Sequence, residues 1–583
     1  MGIHVKQEGQ PRKKHGCLWT IIVCAVLYVA LCGVVGAMMG NMFSTPTATL
    51  EANTIYRIDL DGVLVEQAPI DNPWAALLSD MPGYSSQTTV GLDDLLSNIR
   101  LAKDNDKVLG IYLRGGSLQM GAASAKAIRD ALLDFKESGK FVVAYADSYG
   151  QMNYYVASAA DKVFLNAIGS VAWDGLSAQK MYYTRLLEKI GVEMQILKVG
   201  TFKSAVEPYF RTSMSDADRA QTKQYINGIW SEMTEKVAAS RHLTAAQLNA
   251  YADECMSLQP EEKYVDYGMV DTLVYVQDMD SVLRAYAGTK DYKTISTSRM
   301  ATVKRASIKA SDEIAVLYAD GQITDDEGNG IVGTEMVKTI KKIAKDDNVK
   351  AVVLRVNSPG GSADASEQIW HAVKTLQAKG LPVVVSMGDY AASGGYYISC
   401  EADYIYAEPT TLTGSIGIFG TVPNLGKLRD KVGIDIDGVG TNRHSDMQVN
   451  MVYKGMNPEE RQLMQSMVER GYDLFTRRCA EGRGMTQDAI KAIGEGRVWL
   501  GKDAVEIGLV DEPGNINDAI GKAAELAALE QYAITYYPEV EDPMETLLSM
   551  FDNTTPEERL VLKVREFVSK PRVMALMPNV TIQ

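Results

Sequence analysis

The chain has 583 residues, more than one hydrophobic core usually serves, so two or more domains are expected. With 46% hydrophobic and 23% charged residues it has the composition of a globular protein, which excludes a disordered or fibrous chain, and a formal net charge of -15 argues against a nucleic-acid partner. Six cysteines, three of them (Cys17, Cys24 and Cys32) inside one apolar segment, and five histidines without a CxxC or HExxH pattern point to no disulfide framework, no metal site and no cofactor.

In chain order, residues 1–17 form a basic N-terminus, with Arg12, Lys13, Lys14 and His15 at its end. Residues 18–39 are almost wholly apolar and uncharged, the length of a membrane-spanning helix and longer than the apolar core of a cleaved signal peptide. Positive charge before the span keeps the N-terminus in the cytoplasm and sends the rest of the chain across.

The remainder is organised by an internal repeat, 53–290 and 312–537, joined by a polar linker at 291–311 and followed by a tail, 538–583. The strand Asn53-Thr-Ile-Tyr-Arg-Ile-Asp-Leu-Asp61-Gly62 resembles Asp312-Glu-Ile-Ala-Val-Leu-Tyr-Ala-Asp320-Gly321. Lys107-Val-Leu-Gly-Ile-Tyr-Leu-Arg-Gly115-Gly116 resembles Lys350-Ala-Val-Val-Leu-Arg-Val-Asn-Ser-Pro-Gly360-Gly361, each a buried strand ending in a glycine turn. Helices are expected at 122–138 and 363–379, then strands from Phe141 and Leu381. Tyr154 to Phe164 matches Tyr396 to Tyr406 at an offset of 242 residues, and Gly169-Ser170-Val171 matches Gly414-Ser415-Ile416. Strand, glycine turn, helix, strand, helix, strand is an α/β order. In the tail, 544–551 and 560–568 read as short amphipathic helices packed on the second half.

The chemistry is carried where the halves differ. Ala391-Ala392-Ser393-Gly394-Gly395-Tyr396 stands opposite Tyr149-Gly150-Gln151-Met152-Asn153-Tyr154, so Ser393 faces Gln151 in the alignment. Ser393 lies where a strand gives way to a helix, a position that exposes Oγ and directs helix-start amides at a developing negative charge. The alternative is a plain helix N-cap. Further on, Val199-Gly200-Thr201-Phe202-Lys203 aligns with Val439-Gly440-Thr441-Asn442-Arg443. Arginine stays protonated, whereas a desolvated lysine can serve as a base. The alternative for Lys203 is a surface pair with Glu207 at i+4, and the rival base is His444, one position off the lysine register. Serine kept by one half and lysine by the other predict a composite Ser–Lys site between them.

Asn357-Ser-Pro-Gly-Gly-Ser362, Ala391-Ala-Ser-Gly-Gly-Tyr-Tyr397, Thr413-Gly-Ser-Ile-Gly417 and Lys203-Ser-Ala-Val-Glu-Pro208 together resemble the signal peptide peptidase A (protease IV) family in its long, duplicated form. The resemblance implies tandem Clp protease/crotonase-like ββα spiral domains after one transmembrane helix. It implies Ser393 as acylating nucleophile, Lys203 as general base, Ser415 orienting the lysine amine, and Gly361 and Gly394 lining the oxyanion hole. It also implies a homo-oligomer, suspected to be a tetramer, on the outer face of a bacterial inner membrane. Its substrates would be cleaved signal peptides and other unfolded apolar peptides. The rival functions are a stomatin-partner protease, an acyl-CoA enzyme of the crotonase fold, and a catalytically silent scaffold.

Overall fold

The computed structural model describes residues 48–67, 88–303, 310–326, 328, 330–538, 572–577 and 581–582. The expected anchor at 18–39 and the expected tail helices at 544–551 and 560–568 lie outside these residues. Among the described residues no helix is long and apolar enough to cross a membrane.

Each half builds a parallel sheet from the strands read in the repeat. In the first, Thr54–Val65, Val108–Gln119, Phe141–Tyr149 and Lys162–Val171 lie side by side in that order. In the second, Glu313–Asp320, Val349–Ser358 and Val383–Ala392 do the same, and Val383–Ala392 then pairs with both Tyr404–Ala407 and Leu412–Gly414. Runs such as Val352-Val353-Leu354 and Val383-Val384-Val385 are fully buried, the mark of parallel strands covered on both faces. The covering helices Ala122–Lys136 and Ala363–Ala378 fall within the expected spans.

The linker reading of 291–311 is corrected in part. Lys293–Ser296 pairs parallel with Thr54–Arg57, and helix Thr297–Ala301 buries Met300. Ala533–Tyr537 pairs in the same sense with Glu313–Leu317, so each half ends by returning a strand to its own first strand.

A third sheet joins parts far apart in sequence, in the order Ile331–Val332, Ile323–Thr324, Gly360–Ser362, Arg572–Leu576, Phe419–Asn424 and Glu193–Lys198. The tail therefore contributes a strand here, inserted between two strands of the second half, and the first half supplies the last one. Polar contacts tie the halves further. Asp389 accepts from Ala123 N at 2.8 Å, Ser124 N at 3.1 Å and Ser124 Oγ at 2.6 Å, holding a carboxylate at the start of helix Ala122–Lys136. Buried Arg355 forks onto Glu66 at 2.9 and 3.1 Å.

Candidate active site

Ser393 closes the strand Val383–Ala392 and precedes helix Gly394–Ser399. Its backbone has φ 56° and ψ -113°, a conformation costly for a residue with a Cβ, and its amide donates to Gly414 O at 2.7 Å. The side chain accepts no capping hydrogen bond, so Ser393 is not a plain N-cap.

Lys203 arrives from the other half. Strand Glu193–Lys198 pairs antiparallel with Phe419–Asn424, Lys198 opposite Phe419, and so carries the following residues into the second half. Lys203 Nζ lies 2.7 Å from Ser393 Oγ, 3.0 Å from Ser415 O and 3.1 Å from Ser415 Oγ. All three side chains are fully buried. None of these contacts is a carboxylate, and burial holds the Lys203 amine well below its usual basicity. The surface pair with Glu207 does not form. Glu207 is itself buried and accepts from Ser215 N at 2.9 Å and Ser215 Oγ at 2.6 Å.

The glycines of the two turns pack backbone against backbone. A methyl added at Gly360, where φ is 98°, would stand 2.6 Å from Gly394 N and 2.1 Å from Ala575 O. One added at Gly394 would stand 3.1 Å from Gly361 N. Glycine at 360, with its positive φ, lets this turn pack its backbone against the start of the helix that follows Ser393. The neighbouring strand is the tail's, with Gly361 opposite Ala575 and Met577 N donating to Pro359 O at 2.8 Å.

The rival base is elsewhere. His444 lies in the largely exposed stretch 441–446, with Nε2 3.6 Å from Glu459, and the adjacent Arg443 also pairs with Glu459. In the first half Gln151 takes the place of the serine. Its side chain accepts from Asp174 N at 3.0 Å and Gly175 N at 3.1 Å, bracing a loop.

Three supports were not read from the sequence. Gln221 Nε2 donates to Phe202 O at 3.1 Å and Ser204 Oγ at 3.0 Å, on either side of Lys203, while its Oε1 accepts from Val498 N of the second half at 3.3 Å. Glu495 O accepts from Phe202 N at 3.0 Å. A methyl on Gly496 would stand 2.6 Å from Lys203 Cβ. Gln221 aligns with Leu463 at the repeat offset, a polar-for-apolar departure that could have marked it.

A buried amine of lowered basicity at hydrogen-bond distance from a serine hydroxyl can, when unprotonated, accept that hydroxyl's proton, and backbone amides beside it can face an oxyanion. Comparison with known proteins identifies the family. The model of "Peptidase family S49" matches residues 134–290 and again 375–530. Protease 4 of Salmonella typhi is 38% identical over 522 residues, covering 87% of this chain and 83% of its own. Protease 4 of Haemophilus influenzae is 34% identical over 536 residues, covering 86% and 85%. The chloroplastic serine protease SPPA of Arabidopsis thaliana is 29% identical, covering 77% and 68%. The chain belongs to peptidase family S49, whose region it carries twice, and is a serine peptidase of the signal peptide peptidase A type.

Proposed function

We propose that the chain is a membrane-anchored endopeptidase in which Ser393 and Lys203 form a catalytic dyad, each supplied by a different half of the repeat. The carrying observation is the 2.7 Å contact between Lys203 Nζ and Ser393 Oγ, two fully buried groups 190 residues apart. A lysine buried without a carboxylate among its contacts is unfavourable for folding, and its place against a serine gives that burial a chemical use.

In this reading Ser393 Oγ attacks the peptide carbonyl carbon as neutral Lys203 takes the hydroxyl proton. Ser415 holds the amine through its hydroxyl and carbonyl, and the negative charge on the carbonyl oxygen faces the amides of Gly361 and Gly394. The C–N bond then breaks, and the Lys203 ammonium returns its proton to the leaving amine. Water enters by the same route in reverse and releases the acyl group from Ser393. The serine's strained backbone and the glycine pair suit a preformed site of this kind.

The fold is assigned to the Clp protease/crotonase type, and residues 18–39 to a single transmembrane anchor with the catalytic part outside the cytoplasm of a bacterial cell. Signal peptides left in the bilayer after cleavage, and other unfolded apolar chains, are the substrates this placement favours. A peptide must be extended to present its scissile amide, because a helix uses that amide in its own hydrogen bonds. Reaction with a fluorophosphonate tests the nucleophile: labelling at Ser393, lost in Ser393→Ala, is expected. Undiminished labelling of Ser393→Ala places the nucleophile elsewhere. A wild type that is neither labelled nor hydrolyses peptides would be a silent scaffold.

A further inference from the structure

Helices Asp216–Arg241 and Pro458–Arg483 are the same element of the two halves, each of 26 residues. Their first turns have parted. In the second half Asn457 caps the helix, and Glu460 at its third position reaches back to accept from Asn457 N at 2.9 Å, completing a capping box. In the first half Ser215 caps the helix and Asp218 holds the third position. The Ser215 amide donates to Glu207 instead, at 2.9 Å. Asp218 is thereby released from the cap and turns inward. It is fully buried, and its two oxygens accept from Lys180 Nζ at 2.5 and 2.7 Å, with the Lys180 side chain only 3% exposed.

Three residues on, Gln221 stands where the second half has the exposed Leu463. Its Nε2 donates to Asp218 Oδ1 at 3.2 Å, besides its contacts with Phe202 O and Ser204 Oγ, and its Oε1 accepts from Val498 N. Only one orientation of the amide satisfies these neighbours, because a backbone N–H only donates and a carboxylate only accepts. Turned over, the amide would set Oε1 against the carboxylate and its N–H groups against Val498 N. Asp218 therefore selects the orientation in which Gln221 holds the residues on either side of Lys203. Val498 lies opposite Gly414, and Arg497 O accepts from Ser415 N at 2.7 Å. The same amide thus spans from the flanks of the lysine in the first half to the strand beside Ser415 in the second.

We infer that Asp218, paired with Lys180, is a positioning residue of the dyad: through the Gln221 amide it fixes where Lys203 stands relative to Ser393 and Ser415. The inference rests on the reading of Lys203 as general base. The lysine amine sits at the end of a flexible four-carbon stem, 2.7 Å from Ser393 Oγ and 3.1 Å from Ser415 Oγ, so its placement begins with the main chain that carries it. A carboxylate buried alone would be costly, and Lys180 supplies the opposite charge that lets Asp218 face Gln221. The second half, which carries Arg443 in the lysine register, builds the same helix start from a capping box with leucine in the place of Gln221. The ion pair and the glutamine therefore belong to the copy that holds the base, as Ser393 belongs to the copy that holds the nucleophile.

The test measures kcat and KM on an apolar peptide, together with melting temperature, in the full-length protein. Lys180→Met combined with Asp218→Leu replaces the pair by apolar side chains of similar volume, a change that buried ion pairs often accept without loss of stability. This paired variant and Gln221→Leu are each expected to fold, to lower kcat about 10-fold or more and to leave KM within about twofold, as displacement of a reacting group does. Should the paired variant not fold, Asp218→Asn keeps the shape, lets the Gln221 amide turn over and carries the same expected loss. Combined with Gln221→Leu, the Lys180 and Asp218 changes should lower kcat no further, because both act through one amide. Glu460→Ala removes the acid at the same helix position of the second half, and should lower the melting temperature while kcat stays unchanged. A fall in kcat smaller than about threefold in Gln221→Leu or in the Asp218 variants, or losses that multiply on combination, would overturn the inference. An equal fall in Glu460→Ala would do the same, since a loosened helix start would then explain both. Lys203→Met keeps the two readings apart. Wild-type turnover in that variant removes the dyad itself, whereas an inactive Lys203→Met beside a fully active Gln221→Leu removes only the positioning role.

Discussion

Lys203 concentrates the chemistry and the cost of the site. Burial favours its neutral form, so its pKa in the folded enzyme lies well below the ordinary 10.5. A general base must be unprotonated, so kcat/KM should rise with pH through that lowered pKa and then level, with the rising limb well below 10.5. A limb near the ordinary lysine value would mean that burial does not lower the basicity of the reacting amine. The same shift has a stability sign. Between the folded and unfolded pKa values the unfolded chain binds the extra proton, so the lysine's contribution worsens as pH falls from alkaline toward neutral. Lys203→Met should therefore abolish turnover and still raise the melting temperature at pH 7. Ser393 and Lys203 were legible because each departs from its copy in the repeat. The positive φ of Ser393 was not, since no residue type announces it. Gln221 went unread because its importance depends on knowing which backbone groups flank Lys203.

Among the elements, the strand Arg572–Leu576 changes the reading of the tail. Its sequence neighbours suggested only helices packing on the second half, and its pairing partners, Gly360–Ser362 and Phe419–Thr421, lie more than a hundred residues away. Nothing local in the sequence specifies such a partner. Ala575 is fully buried opposite Gly361, so removal of residues 571–583 should strip one edge from the glycine turn. Expected is a fall in kcat of about 10-fold or more with KM much less affected, since misplacing an oxyanion donor costs roughly that much. Unchanged kcat in the truncated protein would show that the strand only covers the turn. Gly360→Ala tests the turn directly. With φ at 98° and a methyl 2.1 Å from Ala575 O, the backbone must move, and kcat should drop about 100-fold. Activity near wild type would separate the turn from the reaction. The four-residue strand Lys293–Ser296 was misread as linker for a simpler reason: it is too short to show alternation, and Ile295 is its one buried side chain.

At the scale of the whole molecule, the site exists because two copies of one fold are held in a fixed relation. The α/β order, the parallel strands and the complementary losses were readable from self-comparison. The polar junction was not, because Glu66, Asp93, Asp320, Asp389 and Arg355 come together only through the fold. Asp93 is raised to about 7 and Asp320 to about 6, chiefly by burial, with Asp94 and Glu66 adding repulsion at Asp93 and Glu66 adding it at Asp320. Folded pKa values above the unfolded ones stabilise at low pH and lose that contribution as pH rises through about 6 to 7. Asp93→Asn should therefore raise the urea midpoint, measured against wild type, more at pH 8 than at pH 5.5. An identical pH dependence in the variant would remove Asp93 from the junction's balance. The central claim, that a serine from one half and a lysine from the other react as one unit, is tested most directly by turnover of Ser393→Ala, Lys203→Met and the double variant. Members of a catalytic unit are strongly non-additive, so the double variant should be no slower than the slower single one. Losses that multiply, or a Lys203→Met enzyme that retains wild-type turnover, would contradict it.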